Sequence, residues 1–198
     1  MELCHQTATS IIKVIFVSLL TLYHTATWKG TADALEALKM FHQRYPQVNV
    51  TMFGVAKPDY PLPDWITFVL NPSPPALVKL YNHHTIYLAA SHSEGWGLPP
   101  AEAMACGETV VGTDIGGFRE FVIHGHTGLL SPVQQPVDLY RNLAYLMEHP
   151  DYCRELQEQA VKYVQQFTVD QMGSRLEELL LRQTHVMGNE LSVGEVNQ

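Results

Sequence analysis

Apolar residues occur along the chain in two alternating patterns, short continuous runs and a helical spacing. The short runs, many of them β-branched, predict strands at Ile11–Leu20, Val48–Val55, Ile66–Leu70, Thr85–Ala90, Thr109–Gly112 and Thr127–Leu130. Between most of them, apolar residues lie three and four positions apart, as on a helix with one buried face. Helices are predicted at Thr31–Arg44, from Ser73-Pro74 through Tyr81, and at Pro100–Cys106, Phe118–His124, Val137–Glu148, Pro150–Gln166 and Val169–Leu181.

This alternation indicates the fold class. Strands that are apolar almost throughout and separated by helices are typical of a parallel sheet covered on both faces. We therefore predict an α/β fold, a Rossmann-like doubly wound parallel sheet with helices on both faces and a helical C-terminal extension. We expect one domain over residues 11–184 and a flexible tail over residues 185–198.

The first apolar stretch, Ile11–Tyr23, has the length of the apolar region of a signal peptide. It is too short for the about 20 residues of a membrane-spanning helix. It contains Lys13 and has no positively charged segment before it, and it is rich in β-branched residues. A buried strand explains it better than a targeting segment, and no transmembrane segment is predicted.

The length and charge narrow the function classes. The 198 residues fit one domain, and 46% hydrophobic and 16% charged residues are enough to build a globular core. The net charge of −8 gives no support for binding nucleic acid or anionic lipid. The 3 cysteines are odd in number and lack metal-site spacing, so we expect neither a disulfide framework nor a zinc site, and a reducing, cytoplasmic location.

The candidate chemistry is concentrated in one segment after the predicted strand Thr85–Ala90. Gly95 and Gly97 stand just before a predicted helix, where missing side chains let backbone N–H groups approach a phosphate or a sugar oxygen. Glu94 precedes the helix and Glu102 lies in its first turns, so the two carboxylates would flank the loop. The alternative is that the glycines form an ordinary turn and Glu102 only complements the helix dipole.

A second glycine pair, Gly116-Gly117, follows the predicted strand Thr109–Gly112. A strand, glycines and a helix start in that order can present backbone amides to a substrate. A glycine pair alone is weak evidence, because turns use it constantly. Since both loops follow neighbouring strands, we expect them to open on the same edge of the sheet.

Four motifs in order carry a family resemblance: Ser-x-x-Glu-Gly-Trp-Gly-Leu-Pro, Glu-Ala-Met-Ala-Cys-Gly, Val-Val-x-Thr-Asp-x-Gly-Gly and Gly-His-Thr-Gly-Leu-Leu-Ser-Pro. With Trp28-Lys29-Gly30 upstream, residues 11–181 resemble the C-terminal, donor-binding domain of retaining glycosyltransferases with the two-domain GT-B fold, called family 4 or group 1. The resemblance implies an enzyme that transfers a sugar, of hexosyltransferase type, from a nucleotide-diphosphate sugar to an acceptor with retention. It also implies that an N-terminal, acceptor-binding domain is absent from this chain.

The resemblance assigns roles to individual residues. Glu94 and Glu102 match the Glu-x7-Glu pair, Glu94 as the catalytic carboxylate facing the donor sugar and Glu102 as the one that holds the ribose. Lys29 matches the lysine that neutralises the diphosphate, and the remaining donor-binding contacts would come from Gly95, Trp96, Gly97 and Leu98. The family usually has Gly-Arg before this lysine, whereas this chain has Tyr23 and His24 nearby, either of which could hydrogen-bond a phosphate oxygen without supplying the charge of arginine.

The same resemblance implies that no cofactor and no metal is required, since a cationic side chain and a helix N-terminus meet the charge of the diphosphate. The partners would be the nucleotide sugar, an acceptor of unknown identity and the missing N-terminal domain, with no nucleic acid. In the full enzyme the missing domain can bring peripheral membrane contact, and this chain alone would be inactive or nearly so. The alternative function is a non-catalytic nucleotide-sugar-binding fragment or split subunit.

Three further chemistries have less support. The 10 histidines lack metal-ligand spacing, so loop histidines such as His124 and His126 are interpreted as ordinary surface residues. Cys106 has no apparent base, and no Gly-x-Ser-x-Gly elbow is present. An NAD-binding function is disfavoured because no Gly-x-Gly-x-x-Gly follows the first strand.

Overall fold

The computed structural model describes residues 17–174 and 177–178. Six parallel strands form one sheet in the order β3-β2-β1-β4-β5-β6, with β1 Ser18–Leu22, β2 Asn49–Gly54, β3 Ile66–Leu70, β4 Ile86–Ala89, β5 Thr109–Thr113 and β6 Gly128–Ser131. This is the strand order of the doubly wound nucleotide-binding fold, whose direction reverses at β1. The predicted fold class is confirmed.

Within residues 17–164, α-helices connect or follow these strands: α1 Thr31–Arg44, α2 Pro74–His83, α3 Leu98–Ala105, α4 Gly116–Arg119, α5 Pro136–Glu148 and α6 Pro150–Val164. Because crossovers between parallel strands are right-handed, the reversal at β1 places α1 and α2 on opposite faces of the sheet. Helix α5 packs beside α1, and α3 packs against α2 and α6. The carboxyl ends of β1 and β4 therefore meet at the point where the strand order reverses.

The core lies between the sheet and its helices. The predicted face of α1 is buried, with Ala34, Leu35, Leu38 and Phe41 each at most 6% exposed. The central strands contribute fully buried residues such as Leu19, Ile86 and Val111. Burial of these side chains stabilises the central strands, whereas the edge strand β3 stays half exposed. The residues that carry the candidate chemistry follow the carboxyl ends of these buried strands.

The connection between β2 and β3 contains no helix. Residues 55–65 form turns and extended segments punctuated by Pro58, Pro61 and Pro63, as the prolines predicted. Trp65 ends this connection and stacks on His42 of α1 with ring centroids 4.2 Å apart. A parallel crossover usually needs a helix, so this face of the sheet near β2 and β3 is covered by a loop instead.

Most predicted ends lie within two residues of the observed ones, and the boundaries of β1, α3 and α4 differ as follows. Strand β1 extends to Leu22, and residues 11–16 of the predicted strand lie outside the described residues. Helix α3 begins at Leu98 rather than Pro100, because prolines are tolerated in a first turn where their missing N–H costs nothing. Helix α4 covers only Gly116–Arg119 rather than Phe118–His124, since the Thr127 hydroxyl accepts the Ile123 N–H and donates to the Phe121 carbonyl, holding this segment in a turn.

A second compact unit begins at Gln165. Its described part has a 3-10 turn at Gln165–Phe167 and helical residues 169–174. The sequence predicts an exposed apolar patch at Leu176, Leu179 and Leu180, and these three lie outside the described residues or side chains. In the part of the chain that the structure describes, no helix combines the length and apolar character needed to span a bilayer.

Candidate functional site

The site starts at the turn between β1 and α1. Residues Thr27–Lys29 form a 3-10 turn, and Gly30 follows in the left-handed conformation with φ of 66° as the N-cap of α1. A Cβ on Gly30 would lie 1.8 Å from the carbonyl oxygen of Ala90, so only glycine fits there. This close approach presses the start of α1 onto the end of β4 and brings Lys29 beside the loop that follows β4.

Lys29 forms a two-pronged ion pair with Glu94. The Lys29 ammonium donates to Oε1 at 2.7 Å and to Oε2 at 2.9 Å, and the Ser91 hydroxyl donates to Oε1 at 2.9 Å. The side chains of Lys29 and Glu94 are only 22% and 16% exposed, so solvent screens the pair less than it would on the surface. Two residues separated by 65 positions therefore form one charged centre.

Two more contacts fasten the loop after β4 to the β1–α1 turn. The backbone N–H of His92 donates to the Trp28 carbonyl at 2.7 Å, and the His92 Nε2 lies 2.6 Å from Asp33 Oδ2. Asp33 belongs to the first turn of α1. These two contacts join the segment next to Lys29 to the segment next to Glu94, and they do not involve the ion pair itself.

The glycine loop ends at the N-terminus of α3. Gly97 is the N-cap with φ of 107°, and a Cβ there would lie 2.6 Å from the Phe118 ring. Pro99 and Pro100 supply no N–H, and the Ala101 N–H donates to the Gly97 carbonyl at 3.3 Å. In the first turn of the helix, the Leu98 N–H is therefore the group that can point at an anion, reinforced by the helix dipole.

The two glycine loops are in contact, as predicted from their positions after neighbouring strands. A Cβ on Gly117 would lie 2.8 Å from the Glu94 carbonyl oxygen and 3.0 Å from that of Trp96. The Thr113 hydroxyl also donates to the Ser91 carbonyl. The backbone of the second loop therefore supports the first loop from behind, and Gly117 leaves the space that this contact needs.

Glu102 lies in the second turn of α3 and is half-buried. The hydroxyl of Tyr81, from α2, donates to its Oε2 at 3.0 Å. Tyr81 is 1% exposed, and burial, followed by neighbouring phenol and carboxylate groups, raises its pKa far above the usual value. Tyr81 therefore stays neutral, and its hydroxyl orients the Glu102 carboxylate by donating a hydrogen bond to it.

A pocket opens between the ends of β1 and β4 and the start of α3. The residues that line it include Thr21, Lys29, Ser91, Glu94, Pro100 and Phe118. It joins a cation, a carboxylate and a hydroxyl to a helix N-terminus, a combination that binds an anionic group flanked by hydroxyls. Among the described residues, no group of three or more His, Cys, Asp or Glu side chains could hold a metal ion.

Comparison with known proteins shows the family of the chain. The sequence model of a family described as "Glycosyl transferases group 1" matches residues 16–165. The chain belongs to the group 1 glycosyl transferases. It is similar to the D-inositol 3-phosphate glycosyltransferase of Gordonia bronchialis, at 32% identity over 57% of this chain and 24% of that protein. It is also similar to the trehalose synthase of Pyrococcus horikoshii, at 28% identity over 65% of this chain and 35% of that protein. The matched part of this chain thus spans about a quarter to a third of these relatives.

Solved structures share the group 1 fold. Sucrose-phosphate synthase from Thermosynechococcus elongatus matches with a TM-score of 0.73 and 23% identity, over 87% of this chain and 46% of that chain. Anabaena Alr3699/HepE, solved in complex with UDP-glucose, matches with a TM-score of 0.73 and 20% identity, over 86% of this chain and 50% of that chain. These similarities establish the α/β architecture.

The two residues near the usual family arginine differ in how they are placed. Tyr23 is 2% exposed, and its hydroxyl accepts the backbone N–H of Asp59 at 2.9 Å, so it ties the β2–β3 loop to the end of β1. His24 is half-buried, and its Nδ1 accepts the Ala26 N–H at 2.9 Å. In the neutral ring this leaves Nε2–H as the donor, so of the two predicted residues His24 has the freer hydrogen-bonding group.

The remaining predicted donor-binding residues lie on the glycine loop. Gly95 has no heavy atom within 4 Å of the position of an added Cβ, and Leu98 is 61% exposed. The Trp96 ring packs on Phe121 with centroids 5.0 Å apart, so its backbone rather than its ring is available to a ligand. The predicted contacts of this loop are all backbone contacts, which is the role that these placements allow.

Sequence reasoning missed two supporting residues. Neither Ser91 nor Tyr81 is among the predicted site residues, yet the Ser91 hydroxyl donates to Glu94 and the Tyr81 hydroxyl donates to Glu102. For Ser91 the signal was its position in the Ser-x-x-Glu motif. For Tyr81 the sequence carries no local signal, because α2 and α3 meet only in the folded sheet.

Proposed function

We propose that this chain binds a nucleotide-diphosphate sugar and, paired with an N-terminal domain, transfers the sugar to an acceptor with retention. The observation that carries the proposal is the Lys29–Glu94 pair, 2.7 Å between Nζ and Oε1, beside the glycine loop that leads into α3. A sugar nucleotide brings about two negative charges next to several hydroxyls, and this site presents the matching cation, N–H donor and acceptors. The UDP-glucose bound by the structurally similar HepE supports the same ligand class here.

Most of the predicted side chains have a place in this proposal, whereas Tyr23 supports the β2–β3 loop. Lys29 and the Leu98 N–H bind the diphosphate, with His24 as an additional neutral donor. Glu102, oriented by Tyr81, accepts the ribose hydroxyls, and Glu94 accepts hydroxyls of the sugar. Since Lys29 and the helix dipole supply the positive potential, we propose that no metal is needed for donor binding.

An apolar platform for the base lies at the carboxyl ends of β2 and β3. Gly54 pairs with Leu70, and the Asn71 N–H donates to the Gly54 carbonyl at 2.7 Å, so Val55 stands next to the end of β3. Val55 is 74% exposed and Leu70 is 44% exposed. We propose that the nucleobase rests on this surface, on the side of β1 opposite to the glycine loop.

A second function, a non-catalytic nucleotide-sugar-binding subunit, uses the same pocket. The observation that supports it is that Lys29, Ser91 and Glu94 around the pocket are binding groups, which serve binding alone as well as transfer. Both functions predict that the chain binds a nucleotide sugar, and only the enzyme half predicts sugar transfer. Supplying an acceptor-binding domain separates them.

We expect the isolated chain to bind UDP or GDP but to transfer or hydrolyse sugar negligibly. Calorimetric titration with UDP, GDP and ADP and with UDP-glucose, GDP-mannose and ADP-glucose measures the binding, and nucleotide release measures the turnover. A chelator should leave the binding unchanged. Addition of an N-terminal domain from a group 1 relative should restore transfer if the chain is an enzyme half. Turnover by this chain alone would contradict the half-enzyme proposal.

We expect Glu102→Ala to lower nucleotide affinity at least tenfold. The change removes two hydrogen bonds from a carboxylate to the ribose, each worth about 1.5–3 kcal/mol. The measurement is the dissociation constant for UDP or GDP by calorimetry. Glu158→Ala, which removes an exposed glutamate from α6, is the matched control and should leave the affinity within about twofold. An unchanged affinity in Glu102→Ala would remove Glu102 from the site.

A further inference from the structure

Lys29 and Glu94 bind each other inside the pocket that the proposed function assigns to the donor. The ammonium contacts both carboxylate oxygens, at 2.7 and 2.9 Å, and the Ser91 hydroxyl fixes one of them at 2.9 Å. The pair is therefore ordered from both sides. A diphosphate that enters beside Lys29 must compete with Glu94 for the same cation.

A nucleotide sugar and the free nucleoside diphosphate differ in how they compete with Glu94 for Lys29. A nucleotide sugar carries about two negative charges, and its sugar hydroxyls can donate to Glu94 and replace the hydrogen bonds that Lys29 gives up. A free nucleoside diphosphate has a terminal phosphate with an extra negative charge and no hydroxyl donor at that position. Glu94 would repel this phosphate at short range while still holding Lys29.

We propose that Glu94 makes the site select a nucleotide diphosphate that carries a sugar over the free nucleoside diphosphate. The carboxylate disfavours the ligand that lacks hydroxyls, in addition to contacting the ligand that has them. The inference rests on the proposed function and deepens it, because it names what the site discriminates against. It also gives the residue a role in releasing the nucleotide after the sugar has left.

The expected change in affinity follows from the burial of Lys29 and Glu94. Glu94 is 16% exposed and Lys29 is 22% exposed, so a charge introduced beside them is screened less than at the surface. A like-charge contact at about 4–6 Å in a partly buried site changes affinity by about tenfold or more. The selectivity should therefore be measurable as a ratio of two dissociation constants for the same protein.

The test is Glu94→Gln, which keeps the shape of the side chain and removes its charge. Titration calorimetry at one salt concentration gives the dissociation constants for UDP and UDP-glucose, and for the guanosine and adenosine pairs if the wild type prefers them. We expect the free nucleotide to bind about tenfold more tightly and the nucleotide sugar to bind no more tightly than to the wild type. The ratio thus shifts about tenfold toward the free nucleotide.

Two further variants keep this test decisive. Glu148→Gln also removes one negative charge and breaks an ion pair, here with Arg44 at 2.5 Å. That ion pair joins the C-terminal ends of α1 and α5. The variant should therefore leave the ratio unchanged. Glu94→Asn removes the same charge with a shorter side chain and should shift the ratio in the same direction. Glu94→Asn provides the test if Glu94→Gln is too unstable to titrate.

The outcomes separate this inference from the proposed function. If the wild type binds nucleotides and the ratio is unchanged in Glu94→Gln and Glu94→Asn, the selectivity role is wrong and the proposed function stands. A shift of equal size in Glu148→Gln would also overturn the inference, because net charge alone would explain it. If the wild type binds no nucleotide, the proposed function and this inference are both overturned.

Discussion

We expect Gly30→Ala to destabilise the domain by about 3 kcal/mol or more, the largest effect of a single methyl group in this region. Alanine at φ of 66° is strained, and its Cβ would lie 1.8 Å from the Ala90 carbonyl oxygen. This clash is relieved only if α1 moves away from the end of β4. The contact between α1 and the end of β4 also places Lys29 beside Glu94. Thermal unfolding should show a fall in Tm of about 6–12 °C for a domain of this size.

The matched control for this prediction is Gly116→Ala. Gly116 also begins a helix, but its φ is not in the left-handed region and no heavy atom lies within 4 Å of an added Cβ. Its Tm should stay within about 2 °C of the wild type. Similar melting temperatures for the two variants would show that the α1–β4 contact does not need glycine, and that the loop has room to adjust.

We expect Lys29→Met to weaken nucleoside diphosphate binding about a hundredfold. The lysine makes one or two charge-assisted hydrogen bonds to the diphosphate, each worth about 1.5–3 kcal/mol, and about 2.7 kcal/mol corresponds to a hundredfold change. The loss also leaves Glu94 beside the diphosphate without its cation, which adds repulsion. Titration calorimetry with UDP or GDP measures the change, at a salt concentration shared with the wild type.

Lys39→Met provides the control for Lys29→Met. Lys39 lies on the exposed side of α1, the helix that follows the Lys29 turn, so its removal changes the net charge equally. We expect its affinity to stay within about twofold of the wild type. A loss below threefold in Lys29→Met would exclude Lys29 as the diphosphate ligand and would shift attention to His24.

The helices and strands with strong apolar patterns were predicted well. Both ends of Thr31–Arg44 and of Ile66–Leu70 agree with α1 and β3, because a continuous apolar pattern and a glycine or proline at the boundary act locally. The short helix α4 was displaced, since the Thr127 hydroxyl bonds that turn the segment after it come from a residue outside the helix. Local patterns predict an element, and a contact from elsewhere can move its boundary.

The candidate site was predicted in its residue types but not in its contacts. The motif placed Glu94 and the glycines on one loop and Glu102 on the helix that follows it, because their spacing along the chain is itself the signal. The pairing of Lys29 with Glu94 and of Tyr81 with Glu102 was not predictable from spacing, since each joins two elements of the fold. Of these four residues, Lys29, Glu94 and Glu102 had a sequence signal through their similarity to the family motifs, and Tyr81 had none.

The sequence alone determined the alternation of strands and helices, the parallel sheet and the family, because each of these depends on residues that are near one another in the chain. The tertiary structure decided which residues share the site. The order of strands places β1 beside β4, which brings Lys29 to Glu94 across 65 positions, and the packing of α2 against α3 brings Tyr81 to Glu102. Such contacts depend on which strands become neighbours, and that choice is made by burial of the whole core rather than by any short segment.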